Sequence, residues 1–305
     1  MNHGTSQSDK IAKWAEENVK VPAENVIFSS AHQHSTPGLG EAKYADFAYP
    51  QIYQAIEDAV NDLAPAEMFI NRVETRGLNF VRHYVTANGD IVTPNHNDHL
   101  RSEIVGHESE VDNEMQLVKF IREGQTTPDG KPAKNIVLIN YQGHPLMGAS
   151  ATDTNVHSDL VGVMRDELAK DLNCEVIYIS GSSGNMMFTS QIAAEKHGND
   201  YKEHGKALAK VAAKAEGTYK DIAITSVKVA TKVFTAECNH TDDHLVPIAK
   251  EAQAEYNATN DKKVVEKYGF NSIYHVNATI SHANLPATRD ITFFVMAFGL
   301  FVGLS

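Results

Sequence analysis

The sequence predicts an α/β fold, in which helices flank a mixed, largely open sheet. Short β-branched runs alternate with segments whose apolar residues recur at helical spacing. Two of these runs, Asn135–Tyr141 and Glu175–Ser180, enclose a helical pattern near Ser158–Lys170. That order is typical of a parallel strand–helix–strand unit. The composition, 42% hydrophobic and 22% charged in 305 residues, is that of an ordinary globular protein.

The same two periodicities predict the other elements. Polar residues Thr5 to Ser8 can cap a helix at Ile11–Asn18, and Ile52–Leu63 has the apolar spacing of an amphipathic helix. The stretch ANGD, Ala87–Asp90, is a hairpin-turn signal. Further strands are predicted at Val26–Ser30, Met68–Val73, Phe80–Val85, Met115–Ile121 and Ile222–Phe234, and further helices at Tyr201–Ala215 and Val246–Tyr256.

No repeat and no Pro/Gly/Ser-rich linker divides the sequence. We therefore expect a single catalytic domain over residues 1–305. The apolar run Ile291–Leu304 is shorter than the ~20 residues that span a bilayer and is interpreted as a buried strand. A buried strand needs partners, yet the sequence stops at Ser305. We therefore expect the domain to be incomplete at both ends.

The charge and the N-terminal residues limit the partners. A formal net charge of −12 argues against nucleic acid as the main partner. Met1–Lys10 lacks the basic and apolar regions of a signal peptide, so the compartment stays open: cytoplasmic, or secreted if the N-terminus is truncated. With only Cys174 and Cys238, the chain is not a disulfide scaffold. The oligomeric state stays open.

The first motif, VIFSSAHQHSTPGLG at Val26–Gly40, places two histidines after a predicted strand. Alternate residues of a strand face the same side, so His32 and His34 would project together, about 7 Å apart at Cα. Neutral imidazoles at this spacing can share a metal, or one can bind it while the other meets the substrate. The alternative is a turn with two hydrogen-bonded histidines.

Two further motifs also follow predicted strands. NYQGHPLMG, Asn140–Gly148, holds His144 in extended chain before Pro145, and ISGSSGNMM, Ile179–Met187, is a glycine-rich turn. Taken alone, the first could be an ordinary loop histidine and the second a tight connection, an anion-binding nest or a pocket wall. Because open α/β sheets bind ligands beyond the carboxyl ends of their strands, the three motifs together predict a metal site at that edge.

In order and spacing, these motifs resemble the neutral/alkaline, non-lysosomal ceramidase family over about residues 21–187. The resemblance implies a zinc amidase that cleaves an N-acyl lipid, with zinc as cofactor. It implies that His32 and His144 bind the metal and that His34 lies beside the metal-bound water and the amide. Zinc lowers the pKa of its water and polarises a carbonyl, which are the two contributions that amide hydrolysis needs.

The resemblance also implies roles around the metal. Arg82, in NFVRHY, corresponds to a substrate-facing arginine, and Gly184 and Asn185 lie on the substrate-binding loop. Asp159 corresponds to a residue that supports the fold or the metal ligands from behind.

Two departures keep other functions open. The family has Asp and Ser where this sequence has Asn185 and Met187, and its further Glu and Tyr ligands would fall beyond Ser305. The alternatives are a zinc hydrolase of the same scaffold that acts on another amide or an ester, and a non-catalytic fragment that lacks part of the metal site. The spaced histidines of HNDH (His96–His99) and HTDDH (His240–His244) are interpreted as surface residues.

Overall fold

The computed structural model describes residues 5–93, 103–148, 155–195, 200–221, 224–241, 243–270 and 272–300. The helices are α1 (Thr5–Val19), α2 (Ala42–Asn61), α3 (Asp159–Leu172), α4 (Tyr201–Ala213), α5 (Val246–Thr259), α6 (Val264–Lys267) and α7 (Ile273–His282). The strands are β1 (Glu67–Glu74), β2 (Phe80–Val81), β3 (Tyr84–Thr86), β4 (Ile91–Val92), β5 (Ile104–His107), β6 (Glu114–Ile121), β7 (Asn135–Tyr141), β8 (Cys174–Ser180), β9 (Met186–Met187), β10 (Lys220–Asp221), β11 (Ile224–Glu237) and β12 (Thr288–Leu300).

The main sheet is mixed and has five strands in the order β10-β1-β6-β7-β8. Its β1, β6 and β7 are antiparallel neighbours, whereas β7 and β8 run parallel, from Asn135 opposite Cys174 to Tyr141 opposite Ser180. The parallel pair requires a crossover, and α3 provides it. The predicted α/β class and the strand–helix–strand unit are therefore confirmed.

The core lies between this sheet and helices α3 and α4. Buried apolar side chains of β7, such as Ile139 and Tyr141, pack with those of α3 and α4, such as Met164 and Leu208. The two helices approach closely at Gly205, where an added Cβ would lie 2.7 Å from the Leu160 carbonyl oxygen. This packing gives the loops that follow β7 and β8 a rigid base.

The predicted strand Phe80–Val85 is divided between two smaller sheets. β2 pairs with β9, and β3 lies between β4 and β5. The chain changes partners at Arg82, whose backbone N–H donates to the Asn185 carbonyl oxygen at 2.8 Å. The ANGD hairpin is confirmed: β3 and β4 are antiparallel, and Gly89 adopts the positive φ of +87° that the turn requires.

The predicted strand Val26–Ser30 does not form, and this expectation was wrong. The segment has no regular secondary structure and pairs with no strand within the described residues. Ile27 and Phe28 are 42% and 39% exposed. A β-branched run favours an extended backbone, but a strand needs a neighbour to accept its hydrogen bonds. The histidines after it are therefore arranged by loop contacts.

The chain forms two compact units, residues 1–226 with 298–305, and residues 227–297. The second unit contains α5 to α7 around a small core that includes Ala252 and Val276. The predicted helix Val246–Tyr256 and strand Ile222–Phe234 correspond to α5 and β11. Single-domain organisation over residues 1–305 stays a prediction.

Several expectations concern residues at the limits of the description. The backbone of β12 confirms a strand in the final apolar run, although the burial of its side chains lies outside what is described. His96–His99 and Asp242 of HTDDH also lie outside the described residues. None of the helices within the described ranges combines the length and hydrophobicity that crossing a membrane needs.

Candidate metal centre

His144 is held by the glycine-rich loop that follows the neighbouring strand, β8. It lies three residues beyond β7, and its backbone N–H donates to the Met186 carbonyl oxygen at 3.0 Å. Its ring Nδ1 lies 3.1 Å from the Ser183 carbonyl oxygen, which can only accept a hydrogen bond. Nδ1 therefore carries the proton, and the neutral ring presents a bare Nε2. The side chain is buried.

His32 and His34 lie on an irregular loop. His32 has a left-handed φ of +56°, and its N–H donates to the Ser30 hydroxyl at 3.2 Å. The next turn is fixed by Gln33, whose Oε1 accepts a hydrogen bond from the Ser35 N–H at 2.6 Å. A left-handed histidine is uncommon, and such residues concentrate at functional sites.

The three imidazoles converge. One candidate ligand nitrogen from each of His32, His34 and His144 lies within 4.8 Å of the other two. The Nε2 atoms of His34 and His144 are 2.6 Å apart, so one donates a hydrogen bond to the other; because Nε2 of His144 is bare, His34 is the donor. Ligand nitrogens around a tetrahedral zinc lie about 3.3 Å apart for Zn–N bonds of about 2.0–2.1 Å. Small side-chain movements therefore suffice for the histidines to share a metal.

The electrostatic environment keeps two of the rings neutral. Burial lowers the pKa of His34, and nearby His32 lowers it further, against an opposing effect of Asp159. Burial also lowers the pKa of His144, with smaller contributions from the other two histidines and Arg82, while the Ser183 carbonyl opposes them. Metal ligation requires neutral imidazole, so these shifts favour metal binding near pH 7.

Asp159 connects the start of α3 to the chain beyond His144. It is fully buried with a left-handed φ of +52°, and its two carboxylate oxygens accept hydrogen bonds from the N–H groups of Gly148 (2.7 Å) and Leu160 (2.6 Å). This position is compatible with a residue that supports the fold or the metal ligands, and that role stays a prediction. Its carboxylate is used by backbone groups.

His157 is a structural residue of the site that the sequence analysis did not identify. Its Nδ1 accepts a hydrogen bond from the Asp159 N–H at 3.1 Å, and its backbone N–H donates to the Ser35 carbonyl oxygen at 3.2 Å. It therefore links the His32–His34 loop to α3. The only signal in the sequence is its place two residues before Asp159, at the start of a predicted helix.

Arg82, Gly184 and Asn185 lie together at the edge of the centre. The hydrogen bond from the Arg82 N–H to the Asn185 carbonyl places the arginine beside the glycine-rich loop. Its Nε is buried and has no hydrogen-bond partner among the described residues, and its charge contributes to the lowered pKa of His144. Gly184 and Asn185 are exposed. The predicted roles of these residues toward substrate stay predictions.

A second polar cluster lies around His107, which no motif indicated. Its Nε2 lies 2.7 Å from Glu195 Oε2 and its Nδ1 2.5 Å from the Val81 carbonyl oxygen, and the Ser190 hydroxyl donates to the same Glu195 oxygen at 2.6 Å. His107 and Glu195 line a cavity of about 540 Å³. The two residues are 88 positions apart, so only the fold brings them together. Among the described residues, the three-histidine group alone has the geometry of a metal site.

The chain was compared with protein families, curated proteins and solved structures. The sequence matches no protein-family model and no curated protein. A solved structure described as a ceramidase complexed with C2 is similar at 16% identity and a TM-score of 0.48, over 76% of this chain and 37% of that one. The neutral ceramidase of Pseudomonas aeruginosa is similar at 16% identity and a TM-score of 0.47, over 77% and 38%. This chain thus spans less than two fifths of either structure, and both structures are ceramidases.

Proposed function

We propose that this chain carries the zinc-binding part of a hydrolase that cleaves the amide bond of an N-acyl lipid to a fatty acid and an amine. The observation that carries the proposal is the convergence of His32, His34 and His144, which come from two separate motifs. The resemblance of those motifs to the neutral/alkaline ceramidase family gives the substrate class.

The side chains fit a zinc ion. Imidazole nitrogens are among the ligands that zinc prefers. The hydrogen bond from His144 Nδ1 to Ser183 leaves Nε2 unprotonated, so that a metal can take the place of the His34 hydrogen bond there, and the lowered pKa values of His34 and His144 favour neutral rings. We assign His32 and His144 as ligands. Bound zinc would activate a water and polarise the amide carbonyl.

His34 is assigned to proton transfer. Its ring is more exposed than that of His144 and lies next to it, within reach of a substrate at the edge of the centre. In the hydrolysis, the oxygen of water forms a bond to the amide carbon and the carbon–nitrogen bond breaks. His34 takes a proton from the attacking water and returns it to the departing nitrogen, which leaves as an amine.

The loop beside the metal centre is assigned to substrate binding. Within the part of the chain that the structure describes, the buried Nε of Arg82 has no hydrogen-bond partner, and a Cβ added at Gly184, beside Asn185, would meet no atom within 4 Å. An arginine N–H can donate to a hydroxyl or carbonyl oxygen of an N-acyl lipid. Since Asn185 and Met187 differ from the family pattern, other amides and esters belong in the substrate panel.

Zinc content and hydrolysis together test the proposal. The chain would be dialysed, its zinc measured by elemental analysis, and its activity measured on N-acyl-sphingosines of several chain lengths and on simple amides and esters. Because only His32 and His144 are assigned as ligands, we expect weak zinc binding and slow release of fatty acid, and we expect a chelator to abolish the release. His244→Ala is a matched control, because His244 is an exposed histidine of the second unit whose Nδ1 lies beside the Thr241 carbonyl.

The outcomes separate the alternatives. Loss of zinc and activity in His32→Ala and His144→Ala, but not in His244→Ala, supports the proposal. Zinc binding without hydrolysis of any substrate would support the non-catalytic alternative. Activity on esters or short amides alone would replace the N-acyl lipid with a different substrate, and chelator-resistant activity would exclude a metal mechanism.

A further inference from the structure

The segment that carries His144 packs against one aromatic ring. Phe188 follows β9 directly, is 1% exposed and lies over Gly143, the residue before His144. A Cβ added at Gly143 would meet three ring atoms of Phe188, with Cε2 at 2.7 Å and Cε1 and Cζ closer still. Ordinary van der Waals contact begins near 3.4 Å, so at Cε2 alone the two groups would have to separate by about 0.7 Å.

The Phe188 ring has little room to retreat. Its centroid lies 6.0 Å from that of Tyr141 and 5.4 Å from that of His204. His204 is itself 4% exposed, and its Nε2 lies 2.9 Å from the Leu78 carbonyl oxygen. Because protein interiors are close-packed, a displaced ring would press on side chains that are already fixed.

The backbone on either side of this contact holds His144. Gly143 precedes the histidine, and Met186 and Met187 precede Phe188. The His144 N–H donates to the Met186 carbonyl oxygen, and His144 forms a parallel bridge with Met187. If Phe188 cannot move, a side chain at Gly143 must displace the backbone. The displaced backbone would be that of the Gly143–His144 segment or of Met186 and Met187, which together fix the position of the imidazole.

We propose that Phe188, packed on the bare Cα of Gly143, is a positioning residue that sets the place of the His144 imidazole opposite His32 and His34. The inference rests on the proposed function of the three histidines as a metal centre. Metal–ligand distances are tolerated within about 0.2 Å, which is well below the displacement that a side chain at Gly143 would impose.

The test is a size exchange across the contact. Gly143→Ala should push His144 out of register, and Phe188→Leu in the same chain should restore it, because leucine lacks the three ring atoms that the new methyl would meet. Gly106→Ala is the matched control: Gly106 lies on β5, and a Cβ there meets no atom of the described residues within 4 Å. Each variant's unfolding midpoint is measured, so that a loss of fold is recognised as such.

Two measurements report the position of His144. The first is the histidine ring ¹H–¹⁵N spectrum with the hydrogen exchange of the His144 amide, in metal-free protein. We expect Gly143→Ala to shift the ring signals and speed the exchange, and the double variant to reverse both. The second is zinc affinity by chelator competition, which we expect to fall about 10- to 100-fold in Gly143→Ala. The double variant should regain most of the lost affinity.

Every outcome bears on the inference. Unchanged ring signals in folded Gly143→Ala, or a double variant no better than Gly143→Ala, would overturn it. If Gly143→Ala does not fold, the double variant decides: wild-type-like ring signals support positioning, and disordered ones overturn it. If the wild-type protein binds no zinc, the proposed function fails, while the metal-free ring signals still test positioning.

Discussion

The division of labour among the three histidines can be measured as zinc affinity. We predict that His32→Ala and His144→Ala each weaken zinc binding about 10²- to 10³-fold, because each removes one ligand. Structural zinc sites with four ligands bind with about 10–16 kcal/mol, or about 2.5–4 kcal/mol for each ligand, and every 1.4 kcal/mol is tenfold. His34→Ala removes a ring that is hydrogen-bonded to His144 and assigned to proton transfer. We expect His34→Ala to lower the zinc affinity about 10-fold, as the loss of a residue that supports a metal ligand does. We expect a larger loss of turnover, because His34 is assigned to proton transfer.

The assay is competition for zinc with a chromophoric chelator at pH 7.5, combined with cobalt substitution. Cobalt spectra report the number of ligands, so His32→Ala and His144→Ala should change the visible bands, while His34→Ala should leave them largely in place. His244→Ala again serves as the control. Equal affinity losses in all three variants would refute the reasoning and would make His34 a third ligand, as its ring nitrogen close to the other two allows.

Three further predictions concern pH, Asp159 and Arg82. Burial lowers the pKa values of His34 and His144, so between their ordinary value near 6.5 and the lower folded values the unfolded chain binds more protons. The urea midpoint of the metal-free protein should therefore fall as the pH decreases below about 6.5, and fall less in His144→Ala; identical pH profiles would contradict this. Asp159→Ala should lower the free energy of unfolding by about 2–4 kcal/mol, because it leaves the buried Leu160 N–H and the half-buried Gly148 N–H without their acceptor. Asp159→Asn, which tolerates the left-handed backbone and keeps one acceptor oxygen, should cost less in the same denaturant titration. Arg82→Met should raise the KM for N-acyl amides and leave zinc content unchanged, and loss of zinc instead would show that the arginine acts through the metal centre.

The main sheet could be predicted because its strands have strong local signals. β7 was predicted to the residue, and β1, β6 and β8 to within one residue at either end. Their β-branched runs are bounded by polar or turn residues, and their side chains pack in one continuous core with α3 and α4. The strand–helix–strand order then left only the parallel pairing of β7 with β8.

The division of Phe80–Val85 could not be predicted, because it depends on partners that are distant in sequence. Phe80 and Val81 pair with Met187 and Met186, while Tyr84 pairs with Val92 and His107. No pattern within the six residues marks the change of sheet at Arg82. The change is nevertheless what directs the arginine toward the glycine-rich loop, since its backbone N–H bonds to Asn185.

The predicted convergence of His32 and His34 is observed, but the predicted strand that led to it does not form. The two-residue spacing of His32 and His34 suggested one face of a strand, yet the rings are brought together by a left-handed residue and by the Ser35–His157 hydrogen bond. Their centroids lie 5.1 Å apart at an interplanar angle of 81°, so the rings meet edge to face. Such an arrangement depends on the far segment at His157, which no local pattern contains. The position of His144 could be predicted, unlike the arrangement of His32 and His34. His144 follows β7, which pairs with β8, and both strands have local signals in the sequence.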